Sequence, residues 1–401
     1  MSEFLNHHAE NAGYLYEYCS RLIAGDNGRA LYDQYQQWID QVDAEEAMAV
    51  LDRLLTSEIP FDQVKANVGK IMNVFYKPLN SSEPDIPGSG HFLYWLMEEN
   101  RHAEKIMQEL KEVLKTVQSA EETNLPGIFA AITRLVNQLK SYELHYIKKE
   151  NILFPHIENR FPAYRCLQLM WSFHDDFRKS MKSLEQILSS EEPDTTQLSR
   201  EMGKLFFVVL PIIFREEKVV FPVALRYIPQ EDWEDMMQQS FETGWCYVEP
   251  PQVQKENNSA PGLAEEGVID LGTGLLTPVQ MVLMMENLPV DITFIDENDE
   301  VRYFSGAKHR IFPRSKAIIG RTVQNCHPPS SVHIVNEIVE AFRSGEREVA
   351  EFWIQMRGRF IHIRYFAMRD EQGNYRGTIE VSQDVTGIRE LSGEQRLLEW
   401  K

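Results

Sequence analysis

The chain has 401 residues, and its 41 lysine and arginine residues against 61 aspartate and glutamate residues give a formal net charge of −20 at pH 7. The length favours two or three domains, and the negative charge argues against a general binder of nucleic acid or of anionic membranes. The four cysteines form no C-x-x-C pair, which argues against a disulfide framework or a thiolate zinc site. Because no apolar run reaches the roughly 20 residues of a membrane span, we expect a soluble, cytoplasmic protein.

Residues 1–80 are predicted to form a small helical domain. Amphipathic runs such as Val64 to Tyr76 are separated by Gly25, Gly28 and Pro60, as is typical of short helices joined by turns. A loop rich in Ser, Pro and Gly follows and leads into the next domain.

Residues 88–246 are predicted to form an antiparallel four-helix bundle. Its long helical segments lie at about 91–118, 127–155, 163–189 and 197–228, and Pro, Gly or acidic residues break the pattern between them. Short connections between long amphipathic helices favour antiparallel neighbours, which is the arrangement of a four-helix bundle.

One stretch of the second predicted helix recurs in the fourth. Glu150-Asn-Ile-Leu-Phe-Pro155 is echoed at the same spacing by Glu217-Lys-Val-Val-Phe-Pro222. Two copies of one helical segment indicate a duplicated helix pair. Because a proline inside a helix removes a hydrogen bond and costs about 3 kcal/mol, the repeat predicts a bend in each of the two helices.

Acidic and histidine residues fall on or beside the apolar stripes of the four helices at helical spacing. The candidate metal ligands are His91, Glu99, His102, His145, Glu150, His174, Glu216 and Glu217. Ionised carboxylates are rarely buried without a partner, because desolvation costs several kcal/mol per ion. Lys and Arg are scarce on these stripes apart from Lys149 near an edge, so a metal ion is the simplest partner.

Other interpretations of these residues stay open. The adjacent glutamates also suit a solvated face, His174 a hydrogen-bonded core position, and the remaining histidines a surface position. A structural bundle whose acids pair with basic groups elsewhere is a further alternative.

The bundle sequence resembles the hemerythrin-like (HHE cation-binding) family. The resemblance rests on Leu144-His145-x4-Glu150-Asn-Ile-Leu-Phe-Pro155, Trp171-Ser-Phe-His174-Asp and Glu216-Glu217-Lys-Val-Val-Phe-Pro222. It implies a non-haem iron centre, with histidines on all four helices and a His-x3-Glu spacing on two, that binds or senses dioxygen, nitric oxide or redox state. The sequence departs from this pattern at Asn100, Lys149 and Ile212. Either His91, Glu99 or His102 then substitutes as a ligand, or the site holds one metal ion instead of two.

A linker is predicted over residues 247–276 and a third domain over 277–390, with residues 391–401 as a tail. Pro250-Pro251 and other turn-forming residues mark the linker. Thr277-Pro278 is a good helix start. Two strands, helices and three strands then predict an α+β domain with one antiparallel sheet. The fold class is therefore multidomain, all-α followed by α+β.

This last domain resembles a PAS sensor domain. The resemblance rests on Asp291-Ile-Thr-Phe-Ile-Asp296, on Ile319-Gly-Arg-Thr-Val-Gln-Asn-Cys-His327-Pro and on Gly377-Thr-Ile-Glu-Val-Ser-Gln-Asp-Val-Thr386. The domain order resembles a prokaryotic family of hemerythrin–PAS proteins. The resemblance to PAS domains implies a pocket for haem, flavin or a small metabolite. His327 is the candidate haem ligand, and the alternative is that His327 belongs to a structural loop.

The leading hypothesis is an iron-based sensor of oxygen, nitric oxide or redox state, coupled to PAS signalling. Its expected partners are a small gas or redox ligand and a separate effector protein, because no kinase, cyclase or helix-turn-helix motif follows the PAS domain. A homodimer through the PAS domain is compatible with this hypothesis. The alternative is an iron-dependent enzyme or an iron-handling or repair protein.

Overall fold

The computed structural model describes residues 2–81, 87–117, 124–190, 192–251, 267–271, 273–306 and 310–394. The chain divides into two compact units, residues 1–252 and 253–401. Parts of the predicted linker (252–266 and 272) and of the predicted tail (395–401) lie outside the described residues.

Four helices begin the first unit: α1 (Ser2–Ala24), α2 (Gly28–Ile39), α3 (Ala44–Thr56) and α4 (Phe61–Ser81). The side chain of Asn27 caps α2, and Asp43 caps α3 in a capping box with Glu46, which satisfies backbone N–H groups that have no partner within the helix. Buried apolar residues of these helices belong to the same hydrophobic cluster as those of the segments that follow. The first unit is therefore held together by one continuous core.

The bundle is built from four helical arms. The first is α5 (Phe92–Val117), and the second comprises α6 (Leu125–Lys140), α7 (Glu143–Lys148) and α8 (Phe154–Arg160). The third is α9 (Leu167–Leu188), the fourth comprises α10 (Thr195–Arg215) and α11 (Phe221–Tyr227), and α12 (Gln230–Thr243) follows them. Helix α5 packs beside α6, and α9 packs beside α10. None of the described helices has the length and apolar character needed to cross a membrane.

Two π-helical segments interrupt the second and fourth arms, one at Lys149–Leu153 and the other at Glu216–Val220. Their first residues are 67 positions apart in the chain, the spacing of the sequence repeat, and a proline follows each segment in the first turn of the next helix. A π turn contains one more residue than an α turn and is common at functional sites. Where the sequence predicts a bend, the structure therefore has a π segment, and this segment changes which residues face the interior.

The second unit contains a small hairpin of β1 (Ile269–Asp270) and β2 (Leu275–Leu276). Its other strands are β3 (Asp291–Asp296), β4 (Val301–Phe304), β5 (Val349–Met356), β6 (Arg359–Arg369) and β7 (Tyr375–Asp384). These five form an antiparallel sheet in the order β4-β3-β7-β6-β5. The helices of the second unit are α13 (Pro278–Asn287), α14 (Val332–Ser344) and α15 (Thr386–Arg389). The helix start predicted at Thr277 is present as a capping box with Gln280. The predicted fold class is confirmed.

Gly377 is required where β7 passes β3. Its φ angle is +133°, and a Cβ atom there would lie 2.1 Å from the Ile295 carbonyl oxygen. We expect Gly377→Ala to destabilise the second unit by roughly 2–3 kcal/mol, because both the backbone strain and the clash oppose the native structure. Calorimetric melting of the full chain checks this, with Gly387→Ala as the control, since a Cβ at Gly387 meets no atom within 4 Å. Equal melting curves for the two variants would contradict the prediction.

Candidate functional site

Glu99 on α5 is fully buried in the first unit. Its Oε1 atom accepts hydrogen bonds from Lys148 Nζ at 2.9 Å and from the backbone N–H of Cys246 at 2.8 Å. Its Oε2 atom lies 2.9 Å from His145 Nδ1. Although burial raises the pKa of Glu99, hydrogen bonding to His145 and the charge of Lys148 lower it below its ordinary value. Glu99 is therefore an ionised carboxylate with a buried lysine as its counter-charge.

Glu216, the first residue of the second π segment, is also fully buried. Its Oε1 atom forms an ion pair with Lys149 Nζ, and its Oε2 atom lies 3.0 Å from His145 Nε2 and accepts from Asn100 Nδ2 at 3.1 Å. The Tyr142 hydroxyl donates to Asn100 Oδ1 at 2.5 Å and so fixes the orientation of the Asn100 amide. Each of the two buried carboxylates thus has its own buried lysine.

The imidazole of His145 bridges the two carboxylates, and its ring stacks on that of Tyr142 with centroids 4.7 Å apart. Burial, together with the charge of Lys149, lowers the pKa of His145 to about 3. Burial also holds the pKa of Lys149 well below its ordinary value, against the attraction of nearby carboxylates. Glu99, His145, Glu216, Lys148 and Lys149 therefore form one closed polar network, called the lysine network below.

Glu150 takes part in a second buried contact, with His174 and Arg178. His174 Nδ1 lies 2.8 Å from Glu150 Oε1, and Arg178 Nη2 donates to both carboxylate oxygens at 3.1 and 2.9 Å. Burial raises the pKa of Glu150 to about 7, although the positive charge of Arg178 opposes the shift. The fully buried Nε2 atom of His174 has no hydrogen-bond partner among the described residues. A histidine oriented through one ring nitrogen with the other free is the arrangement of a metal-ligating histidine.

The remaining predicted ligands lie at the margins. His91 is partly buried, accepts a hydrogen bond from the Leu93 N–H at 3.1 Å and packs on the Trp233 ring. His102 donates through Nδ1 to the carbonyl of Glu98 at 2.9 Å. Neither histidine has a contact with the lysine network among the interactions found in the described residues.

Glu217 is partly buried and accepts from Asn100 Nδ2 at 3.2 Å. The repeat predicts that Glu150 and Glu217 face one site with His174 between them. In the structure, Lys149 and Glu216, one residue earlier in each copy, are the equivalent residues that meet. The central carboxylate is therefore Glu216, and the expectation of scarce basic residues inside the bundle is wrong.

The burial of the basic residues cannot be predicted from uniform α-helical spacing. Lys148 and Lys149 are both fully buried, yet a uniform helical period puts Lys149 near an edge. The π segment that starts at Lys149 changes this period, so that consecutive residues 148–150 all turn inward. The repeated Phe-Pro was the only sequence signal of that change.

The PAS-like unit contains a cavity between its sheet and α14 with a volume of about 50 Å³. A single water needs roughly 10–15 Å³ on this measure, so the cavity has room for a small organic molecule and far less than a haem requires. Its wall is mostly apolar, with residues such as Ile295, Val301 and Val339. Its polar lining residues are Thr293, Arg314, His327, Tyr365, Thr378 and Glu380.

Arg314 is the cationic group of this cavity. The nearest approach of its guanidinium to Glu380 is 4.0 Å, and both side chains are largely buried. Its buried Nε atom has no hydrogen-bond partner among the described residues. His327, the candidate haem ligand, lines the cavity and donates through Nδ1 to the carbonyl of Val323 at 2.8 Å. The cavity therefore offers an unused donor on Arg314 and does not fit haem.

Comparisons with known proteins agree with the two units. Residues 91–224 match a family model described as hemerythrin HHE cation binding domain, and residues 281–386 match one described as PAS domain. The chain therefore contains a hemerythrin HHE cation-binding domain followed by a PAS domain. Joined in one chain, these domains fit a metal-binding sensor in general.

Three solved structures that are similar to parts of the chain have TM-scores below 0.5. A C-terminal domain from Streptococcus mutans is 31% identical, with 32% of this chain and 99% of that chain covered and a TM-score of 0.31. A PAS domain from Colwellia psychrerythraea is 18% identical, with 27% and 97% covered and a TM-score of 0.23. The PAS domain of Bordetella pertussis BvgS is 19% identical, with 28% and 88% covered and a TM-score of 0.24. No curated protein matches the chain.

The donor set of the bundle does not fit the iron centre that the family implies. Within the described part of the chain, no group of three or more His, Cys, Asp or Glu side chains is placed to bind a metal ion. The Nε2 atom of His174 is a suitable donor, but His145 and Glu216 are engaged in the lysine network. The family match therefore predicts a bound cation, whereas the donor residues of this chain do not fit an iron centre.

Proposed function

We propose that this protein is a sensor of a small organic acid, which binds in the PAS cavity with its carboxylate facing Arg314. The observation that carries the proposal is the buried Nε atom of Arg314, a donor without a partner among the described residues in a cavity whose wall is mostly apolar. A carboxylate is the natural ligand for a guanidinium, because the two groups form charge-assisted hydrogen bonds with matched geometry. The apolar wall then favours a short aliphatic body.

Glu380 limits the affinity of the proposed site for carboxylates. Its carboxylate approaches the Arg314 guanidinium to 4.0 Å and is itself held by the Ser382 hydroxyl at 3.1 Å. A buried cation without a carboxylate nearby would be costly, so Glu380 balances the charge of Arg314 while no ligand is bound. A ligand carboxylate competes with Glu380 for the same guanidinium, and this competition limits its affinity.

The proposal is tested by calorimetric titration of the full chain with acetate, propionate, isobutyrate and pyruvate, and with the corresponding neutral amides. A ligand of so few atoms should bind with a Kd on the order of 0.01–1 mM, since small ligands gain at most about 1.5 kcal/mol per heavy atom. Arg314→Gln should weaken carboxylate binding roughly 10- to 100-fold, which corresponds to one charge-assisted hydrogen bond. Glu380→Gln should strengthen it.

Arg364→Gln is the matched control, because the Arg364 Nε atom is also buried without a partner among the described residues but does not line the cavity. Its affinity for carboxylates should equal that of the wild type. Equal binding of acids and amides, or unchanged binding by Arg314→Gln, would rule out the proposed site.

The finer prediction from the sequence, iron-based sensing of oxygen, nitric oxide or redox state, has less support. It requires an open group of oxygen and nitrogen donors, whereas Glu99 and Glu216 are already paired with lysines. The same point weakens the alternative of an iron-dependent enzyme or iron-handling protein. The effector protein and the PAS homodimer stay predictions.

A further inference from the structure

We propose that the side chain of Lys149 takes the place of a metal ion in this hemerythrin-like bundle, so that the domain is closed and stable without metal. The proposal concerns the first unit and does not depend on a ligand in the PAS cavity. It begins from the internal repeat. Lys149 and Glu216 are equivalent residues, each the first of a π segment, and their side chains meet in the interior.

The surroundings of Lys149 Nζ are those expected for a cation site. The ammonium contacts Glu216 and lies 4.5 Å from the centroid of the Tyr146 ring, which stacks on His174 with centroids 4.2 Å apart. Burial lowers the pKa of both His145 and His174, and the positive charge of Lys149 lowers each further. Lys149 thus pairs with one carboxylate and acts electrostatically on two imidazoles. Carboxylates and imidazoles are also the groups that would bind a metal ion.

The neighbouring residues complete the substitution. Lys148 neutralises Glu99 and also donates to the Gly244 carbonyl at 2.9 Å. Asn100 occupies the position where the family pattern has a histidine. Its amide donates a hydrogen bond to Glu216, and a carboxylate bound to a metal would not require this hydrogen bond. Ile212, fully buried, replaces the other histidine. The ammonium groups of Lys148 and Lys149 therefore supply the positive charge that metal ions supply in the family pattern, and the Asn100 amide takes the place of an imidazole.

The first test is metal uptake by the wild-type full chain. Protein stripped with a chelator is incubated with excess Fe(II) without air, and separately with Mn(II), then freed of unbound metal and analysed for bound atoms. We expect far less than one atom per chain and a Tm that neither metal changes. Uptake of one or more atoms per chain with a higher Tm, reversed by chelation, would overturn the proposal, because a ligand that binds only the folded state stabilises it.

The second test restores the family pattern with the double variant Lys149→Glu and Ile212→His. These changes place a carboxylate four residues after His145 and a histidine four residues before Glu216. The variant should bind at least one metal ion per chain and gain Tm when metal is added, because Fe(II) and Mn(II) accept carboxylate and imidazole ligands.

The control variant combines Ile212→His with Lys105→Glu, which makes the same charge change at an exposed position of α5. It should bind no more metal than the wild type. A folded Lys149→Glu and Ile212→His variant that also binds no more would show that the lysine does not occupy the place of a metal. If circular dichroism shows that the variant is unfolded, the wild-type measurement decides alone.

Discussion

Replacing Lys149 with methionine should lower the free energy of unfolding of the helical unit by about 3–5 kcal/mol. Methionine keeps much of the volume of the lysine stem but removes the ammonium that pairs with Glu216. Glu216 is fully buried, so the variant leaves a carboxylate in the core without its counter-charge. Removing one partner of a buried ion pair destabilises the protein far more than the intact pair stabilises it.

The measurement is urea unfolding of the full chain followed by circular dichroism at the helical band, which reports mainly on the first unit. Adding Glu216→Leu to Lys149→Met should recover much of the loss, because replacing both members of a buried pair with apolar groups is often neutral. Lys115→Met is the surface control, since Lys115 pairs with Glu112 in solvent and should change stability little. A single variant as stable as the wild type would show that Glu216 does not depend on Lys149.

The sequence predicted the architecture well because its signals are local. In the PAS domain, the cap at Thr277 lies where the pattern places it, and two strands, helices and three strands follow in the predicted order. In the bundle, the repeated Phe-Pro correctly marked two equivalent interruptions. Fold class and domain identity therefore follow from periodicity, caps and motifs, all of which are visible along the chain.

The chemistry of the interior was harder to predict because it depends on which face each residue adopts. Glu99 and Glu216 were identified as inward-facing, and they are fully buried. Their counter-charges were not, because Lys148 and Lys149 lie at the start of a π segment where helical spacing fails. The amide of Asn100 was noted only as a missing histidine, and its two contacts to glutamates depend on long-range packing.

The stability of the helical unit should fall steeply as the pH decreases from about 6.5 to 4. Burial lowers the pKa of His91 to about 4, that of His145 to about 3, and that of His174 well below its ordinary value. In this pH range the unfolded chain binds protons at these histidines and the folded chain does not. Stability therefore decreases with falling pH, by up to about 1.4 kcal/mol per pH unit for each histidine.

Glu150 acts in the opposite direction. Its pKa is raised to about 7 in the folded state, so the folded chain takes up a proton before the unfolded chain does, and stability increases as the pH falls toward about 4.5. Burial also lowers the pKa of His156 and raises the pKa values of Glu104 and Glu217. The histidines outweigh the carboxyls, and the net loss is on the order of 1–3 kcal/mol per pH unit near pH 5. Urea unfolding at a series of pH values between 7 and 4.5 measures this slope.

His91→Gln tests the assignment with little disturbance, because His91 is only partly buried and lies outside the lysine network. The variant lacks one of the histidines with a lowered pKa, so its stability should depend on pH less steeply, by about 1.4 kcal/mol per unit near pH 5. Asn137→Ala, an exposed change on α6 that removes no titratable group, is the control, and it should leave the slope unchanged. A wild-type stability independent of pH between 6.5 and 4.5 would mean that the buried histidines are already protonated in the folded state, and the lysine network would then carry a positive charge that its carboxylates do not balance.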